Sequence, residues 1–209
     1  WNSAWIILLF AMGHHLYMDF AQLKTLSYLG QIASYAASVP SLAVTILATL
    51  AHTYRRNVHW NFASVLMFFG VMGWAVGGCA AVIDATIAVN FRFHNTLWVP
   101  GHFHTYLLGG VIFLIFGFIL YSWKSPRVKF TSLEKIAFTL LLLGAYGHVI
   151  AFYLGGVNSI PRRYALYLTV PNGELGTSLA RFGSISISVF FIGLILYLIN
   201  VIRKRSESV

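Results

Sequence analysis

The chain has 209 residues, 58% apolar and 16% aromatic, and only 9% are charged. Soluble domains carry roughly 25% charged residues, so a soluble globular protein is excluded, and so are a disordered segment and a nucleic-acid-binding domain. The net charge of +9 comes from 14 Lys/Arg against 5 Asp/Glu in an oily background, the balance of a membrane protein with basic loops on one side.

Six apolar segments follow one another, near 1–15, 26–54, 60–88, 97–123, 132–156 and 175–202. A spanning helix needs about 20 apolar residues, so the first is short and reads as truncated. The chain opens at Trp1, without Met, a charged leader or a cleavage site, and reads as the middle of something longer. Backbone polar groups inside a bilayer must be bonded within their own segment, which makes these runs helices. No segment has the alternation of a barrel strand. The expectation is an all-α, polytopic membrane bundle of about six helices, forming one transmembrane domain over 1–209.

Loop charge fixes the orientation. Arg55, Arg56, Lys124, Arg127, Lys129, Lys135, Arg203, Lys204 and Arg205 fall on one side. Lys24, Arg92, Arg162, Arg163 and Arg181 fall on the other. The richer side is predicted to be cytoplasmic, with both termini there. The one cysteine, Cys79, sits in an apolar run and excludes a disulfide framework.

Eight histidines in so apolar a chain need a reason, because ionisable groups at membrane depth are costly. His14 and His15 end the first segment. Adjacent helical residues are about 100° apart, and at a fraying end both rings can converge on one ion. Imidazoles without thiolates suit copper or zinc. Two ligands are too few for a tight site, so a third is expected from outside the chain. The alternative is an interfacial pair reaching for the headgroups.

His102 and His104 lie about a turn into the fourth segment. Two residues on a helix are about 200° apart, so these imidazoles cannot share a metal but can serve two cofactors on opposite faces. Imidazole is the usual axial ligand of haem iron. The alternative is a pair of histidines bonded to neighbouring helices. By the loop-charge orientation His14, His15, His102, His104, Arg162 and Arg163 all fall near the outer surface, although that argument never used them.

The stretch His94-Asn95-Thr96-Leu97-Trp98-Val99-Pro100-Gly101-His102-Phe103-His104 resembles the haem-ligand motif of subunit I of the haem–copper oxygen reductases. Gly13-His14-His15 and Ile160-Pro161-Arg162-Arg163-Tyr164 follow the same family in the same order. The wording is closer to the B-type oxidases than to the A-type. The resemblance covers essentially the whole chain and implies the seventh to twelfth helices of a twelve-helix subunit.

It implies that His102 is the proximal ligand of a high-spin haem and His104 an axial ligand of a low-spin haem. His14 and His15 would be two of three ligands of the active-site copper, CuB. Arg162 and Arg163 would bind haem propionates through their planar forks, with His94 nearby. The implied activity is that of a respiratory terminal oxidase, reducing O2 to water with proton translocation. The implied partners are the N-terminal half of the subunit, other oxidase subunits, and an electron donor: cytochrome c, another redox protein or a quinol. The setting is a prokaryotic cell membrane with its lipid, and no nucleic acid.

The sequence also departs from the family. Asn90 stands where B-type relatives often carry Asp, and Val44 where a Thr is usual. Asp84 is open to two readings, a substitute for the missing carboxylate on the proton exit or a solvated interfacial residue. Ser41, beside Pro40, matches a proton-path position, with Thr45 close by. His52 and His59 accompany Arg55 and Arg56 at the inner interface, and His148 is expected to bond a neighbouring helix. Phe62, Phe68 and Phe69 read as packing. The competing functions are a nitric oxide reductase of the same superfamily, a haem-binding subunit without active copper, and a non-haem transporter.

Overall fold

The computed structural model describes residues 6, 7, 9, 11–18, 23–56, 58–122 and 130–206. Of the first apolar segment, only the described part can be placed. It is helical at Ile6, Ile7, Leu9 and Ala11 and ends in a 3₁₀ turn, Met12–Leu16. The basic residues Lys124, Arg127 and Lys129 lie outside the described residues, as do the side chains of Lys204 and Arg205.

Helices follow in chain order: α1 (Lys24–Arg55), α2 (Phe62–Ala85), the short α3 (Ile87–Phe93), α4 (Trp98–Ser122), α5 (Ser132–Val157) and α6 (Gly173–Ser206). Five of them, all but α3, are long and apolar enough to cross a membrane, and they match the second to sixth predicted segments. Asn61 opens α2 and Thr131 opens α5, each in a reciprocal capping box with the residue three further on, Ser64 and Glu134.

Two departures from the hydropathy reading shape the site. The segment expected at 60–88 breaks at Thr86, whose extended backbone (φ −76°, ψ 114°) separates α2 from α3. Apolarity continues across the break and so conceals it. Within α4, residues Thr105–Val111 form a π-helix directly after His104. Such wide turns recur at functional sites.

The packing runs α1 on α2, α2 on α4, α4 on α5, and α5 along α6. The main core, with Phe62, Leu66, Phe113, Leu141, Phe190 and Tyr197, lies toward the end away from His102 and His104. Phe69 packs against this core and Phe68 stacks edge-on with Phe69, in keeping with the packing role expected of them. Tyr197 donates from its hydroxyl to the Phe116 carbonyl at 2.9 Å, tying α6 to α4.

Glycine lets α2 and α4 meet backbone to backbone. A Cβ at Gly73 would fall 2.0 Å from the Gly109 carbonyl oxygen, and neither backbone can yield. Gly73→Ala is therefore expected to destabilise the protein by ~3 kcal/mol, the upper part of the usual overpacking range. Gly78→Ala would meet the Leu42 side chain at 3.2 Å and the Tyr106 hydroxyl at 3.7 Å, and no backbone, and is expected to cost under ~1 kcal/mol. Thermal melts of the two variants, followed by loss of helical circular dichroism, check the contrast.

Candidate haem and copper site

All the predicted ligands gather at one end of the bundle, where α1 and α4 begin and α2 ends. The 3₁₀ turn sits against α1 because both contact points are small: a Cβ on Gly13 would lie 3.3 Å from the Gly30 Cα. This brings His14 onto Ser34, with Nδ1 3.0 Å from Oγ. The Ser34 hydroxyl also lies 2.7 Å from the Gly30 carbonyl and 3.2 Å from the Ala11 carbonyl. His14 Nε2 is buried without a partner. His15 is exposed, with its ring centroid 4.0 Å from that of His14. The two adjacent rings do converge.

The His102 and His104 imidazoles diverge as the helical angle predicts. His102 is buried, packs edge-on to Tyr106 with ring centroids 5.2 Å apart, and leaves Nδ1 without a partner. His104 turns instead toward α5, its ring 5.5 Å from that of His148 and 5.0 Å from that of Phe152. Its Nδ1 donates to the Pro100 carbonyl at 2.7 Å, which frees Nε2 as a ligand atom. His148 bonds the Gly183 carbonyl of α6 at 2.9 Å, the helix-to-helix bond expected of it.

A cavity of about 650 Å³ is lined by His15, His102, Tyr106, Phe152, Arg162, Arg163 and Tyr167, among others. Its size falls within the roughly 300–1,000 Å³ of small-molecule and cofactor sites. Residues distant in sequence meet there because two loops pair. The Leu97 amide donates to the Ile160 carbonyl and the Arg162 amide to the Asn95 carbonyl, each at 2.9 Å. Arg162 Nη2 also donates to Asn95 Oδ1 at 3.0 Å, while its Nε is buried without a partner. Asn95 and Arg163 both adopt the left-handed backbone (φ 61° and 68°), which asparagine tolerates better than arginine. His94 caps α3, its amide donating to the Asn90 carbonyl at 2.7 Å.

Asp84 corrects one expectation: it is not solvated, being 2% exposed. Ligand atoms of His14, His15 and Asp84 lie within 4.8 Å of one another. The break at Thr86 turns the chain there. Burial, with Tyr35 and Asp84 adding to it, pushes the Tyr17 phenol up to about 12. It stays protonated and donates to the Ala85 carbonyl at 3.4 Å.

Reasoning from the sequence missed Ser34, Asn95, Tyr106 and Phe152. Ser34 lies twenty residues from His14, with no local pattern to couple them. Asn95 stood inside the quoted motif, and its asparagine, a residue enriched at positive φ, was the available signal.

The sequence profile of the family "Cytochrome C and Quinol oxidase polypeptide I" matches residues 2–195. The chain belongs to this family. Its relatives include cytochrome c oxidase subunit 1 of Bacillus subtilis, 25% identical over 173 residues, covering 82% of this chain and 27% of the relative. Cytochrome bo(3) ubiquinol oxidase subunit 1 of Buchnera aphidicola is 28% identical over 199 residues, covering 92% of this chain and 29% of the relative. The fold resembles that of a haem–copper terminal oxidase dimer solved by cryo-electron microscopy, with a TM-score of 0.68 at 22% identity, covering 91% of this chain and 38% of that one. This oxidase-family chain thus spans less than a third of the length of the two curated relatives. Haem and copper are the cofactors that the family implies, and the donor set fits them: imidazoles with unpartnered nitrogens, two arginines on one cavity, and no thiolate among its lining residues.

Proposed function

We propose that this chain is the C-terminal half of the catalytic subunit of a respiratory terminal oxidase, reducing O2 to water at a haem–copper centre with coupled proton translocation. The observation that carries the reading is the single cavity on which His15, His102, Arg162 and Arg163 converge, with His14 beside His15. When bound, the haems and copper would relay electrons from the donor to O2.

The chain's own residues hold and orient. His102 would hold the high-spin haem, and His14 and His15 would hold CuB. His104 would hold the low-spin haem on the other face of α4, with its tautomer set by Pro100. Arg162, steered by Asn95, and Arg163 would clamp propionates, with His94 close by. Proton supply would follow α1, where Ser34, Ser41 and Thr45 recur at intervals of seven and four on one face, beneath His14. Ser41 bonds its own helix, donating to the Ala37 carbonyl at 2.8 Å.

The setting in this reading is a prokaryotic cell membrane, and loop charge supports both termini on its cytoplasmic side. The partners in this reading are the N-terminal half of the subunit, the other oxidase subunits, membrane lipid, and cytochrome c, another redox protein or a quinol as donor.

Metal analysis and gas uptake by the purified, assembled enzyme test the proposal. Copper equal to the high-spin haem, with oxygen consumption, is expected. Nitric oxide consumption without oxygen uptake would transfer the chain to the reductase class, and a missing Soret band would overturn the reading altogether.

A further inference from the structure

We infer that Tyr153 of α5 is a positioning residue: its hydrogen bond to Thr105 fixes the rotation of the α4 turn that carries His102 and His104. The inference rests on the reading that these two histidines hold haems.

Thr105 is where α4 changes type. Trp98–His104 is α-helical, and Thr105–Val111 is the π-helix. A π-turn closes over one residue more than an α-turn, so the boundary between the two forms is free to slide along a helix unless something stops it. A slide by one residue re-aims the side chains it passes, since each helical position is worth about 100° of rotation. His104 borders the boundary and His102 lies two residues before it, so their aim depends on where it stops.

The backbone does not choose the place. The Thr105 amide is shared between the Gly101 and His102 carbonyls, and a three-centre bond of this kind serves two registers at once. Side chains choose it instead. The Thr105 hydroxyl donates to the Gly101 carbonyl at 2.8 Å, and the Thr105 and Tyr153 hydroxyls hydrogen-bond each other at 2.9 Å. Thr105 is 0% exposed, so water does not compete for either bond.

Tyr153 is itself held. Its ring lies 4.6 Å from that of Trp98, and it fits against α4 because Gly101 has no side chain: a Cβ there would fall 3.2 Å from Tyr153 Cδ1. The neighbouring Phe152 lies against His104, with ring centroids 5.0 Å apart. Helix α5 thus touches α4 just before His102, at His104 and just after it. Toward the other end of the π-helix, Gly109 is locked against Gly73. The widened segment is held at both ends, by a hydrogen bond where the ligands are and by packing where they are not.

A tyrosine that served packing alone would change stability when its hydroxyl is removed, and neither haem would record it. A tyrosine that sets the rotation is recorded by both, because both ligands ride on the same turn.

The test uses the assembled oxidase, with haem content as the check on folding. Tyr153→Phe removes the bond and leaves Thr105 with Gly101, Thr105→Val removes the threonine hydroxyl, and Thr105→Ser keeps a hydroxyl there. The electron paramagnetic resonance signal of the low-spin haem reports His104. The iron–imidazole stretch of the reduced high-spin haem, read by resonance Raman, reports His102. Tyr153→Phe and Thr105→Val are each expected to raise a shifted second component in both signals by about five- to tenfold over wild type, the ratio that one ordinary hydrogen bond supplies. Thr105→Ser is expected to match wild type. The double variant Tyr153→Phe/Thr105→Val is expected to go no further than Thr105→Val, because both substitutions remove one shared interaction. Wild-type signals in Tyr153→Phe with full haem content overturn the inference. So does a change confined to one haem, or a double variant in which the two effects add.

Wild type lacking both haem signals overturns the haem-ligand reading instead, so the two failures are distinguishable. If Tyr153→Phe and Thr105→Val do not assemble, Thr105→Cys decides, since a thiol is a weaker hydrogen-bonding group of similar size. The second component in both of its signals supports the inference, and its absence overturns it.

Discussion

Replacing His102 with alanine is expected to abolish oxygen reduction and remove the high-spin haem signal while sparing the low-spin spectrum. His104→Ala is expected to do the reverse to the two spectra. The separation follows from where the rings go. His102 is on the wall of the cavity shared with His15 and the two arginines. His104 does not line that cavity; its ring lies against His148 and Phe152 of α5, its Nδ1 held by the Pro100 carbonyl. An axial ligand cannot be replaced from a neighbouring turn on the same face, because the nearest imidazole on α4 faces the wrong way by about 160°. Optical spectra of the two purified variants, reduced and oxidised, check this. If both substitutions erased the same haem, the opposite-face assignment would be wrong.

Residues 1–209 expressed alone are expected to bind no stable haem–copper centre. In the proposed function the low-spin haem needs a second axial ligand, and the copper a third imidazole, from the N-terminal half. Asp84 does not substitute for the low-spin ligand, because it lies with His14 and His15 and not with His104. The first half should restore cofactor binding when co-expressed, and its own spanning helices would need about 20 apolar residues each. Haem and copper content of the isolated and co-expressed chains decides the matter. Full loading and oxidase turnover by the isolated chain would defeat the expectation.

The parts of this protein that were legible in the sequence are those governed by single-segment physics. Hydropathy located α1, α2, α4, α5 and α6 because a bilayer demands long apolar runs whatever the neighbours are. The 200° between His102 and His104 is intrinsic to a helix and needed no tertiary knowledge. His148, beside Gly144 and Tyr146, was expected to bond a neighbouring helix because an imidazole at membrane depth needs a partner, but that the partner is the Gly183 carbonyl was not readable.

Features made by two segments at once were not legible. The break at Thr86 depends on Gln31 and Tyr35 of another helix, which bond the Ile87 amide and the Thr86 hydroxyl. The convergence of Arg162 on the haem-ligand motif depends on hydrogen bonds from 95 to 162 and from 97 to 160. Asp84 was ambiguous because its burial is decided by the turn that carries His14. Sequence distance hides all three.

The helix α4 carries both His102 and His104, and the Gly73–Gly109 contact clamps that helix to α2 within two turns of them. Two residues along a helix are offset by ~3 Å in rise, and nothing about how the two halves of the subunit dock can alter that offset. Electron tunnelling falls steeply with distance. A pair of redox centres mounted on separate polypeptides would feel every fluctuation between those polypeptides as noise in the transfer rate. In the proposed function His102 and His104 mount both haems on one clamped helix, so the two centres would move together.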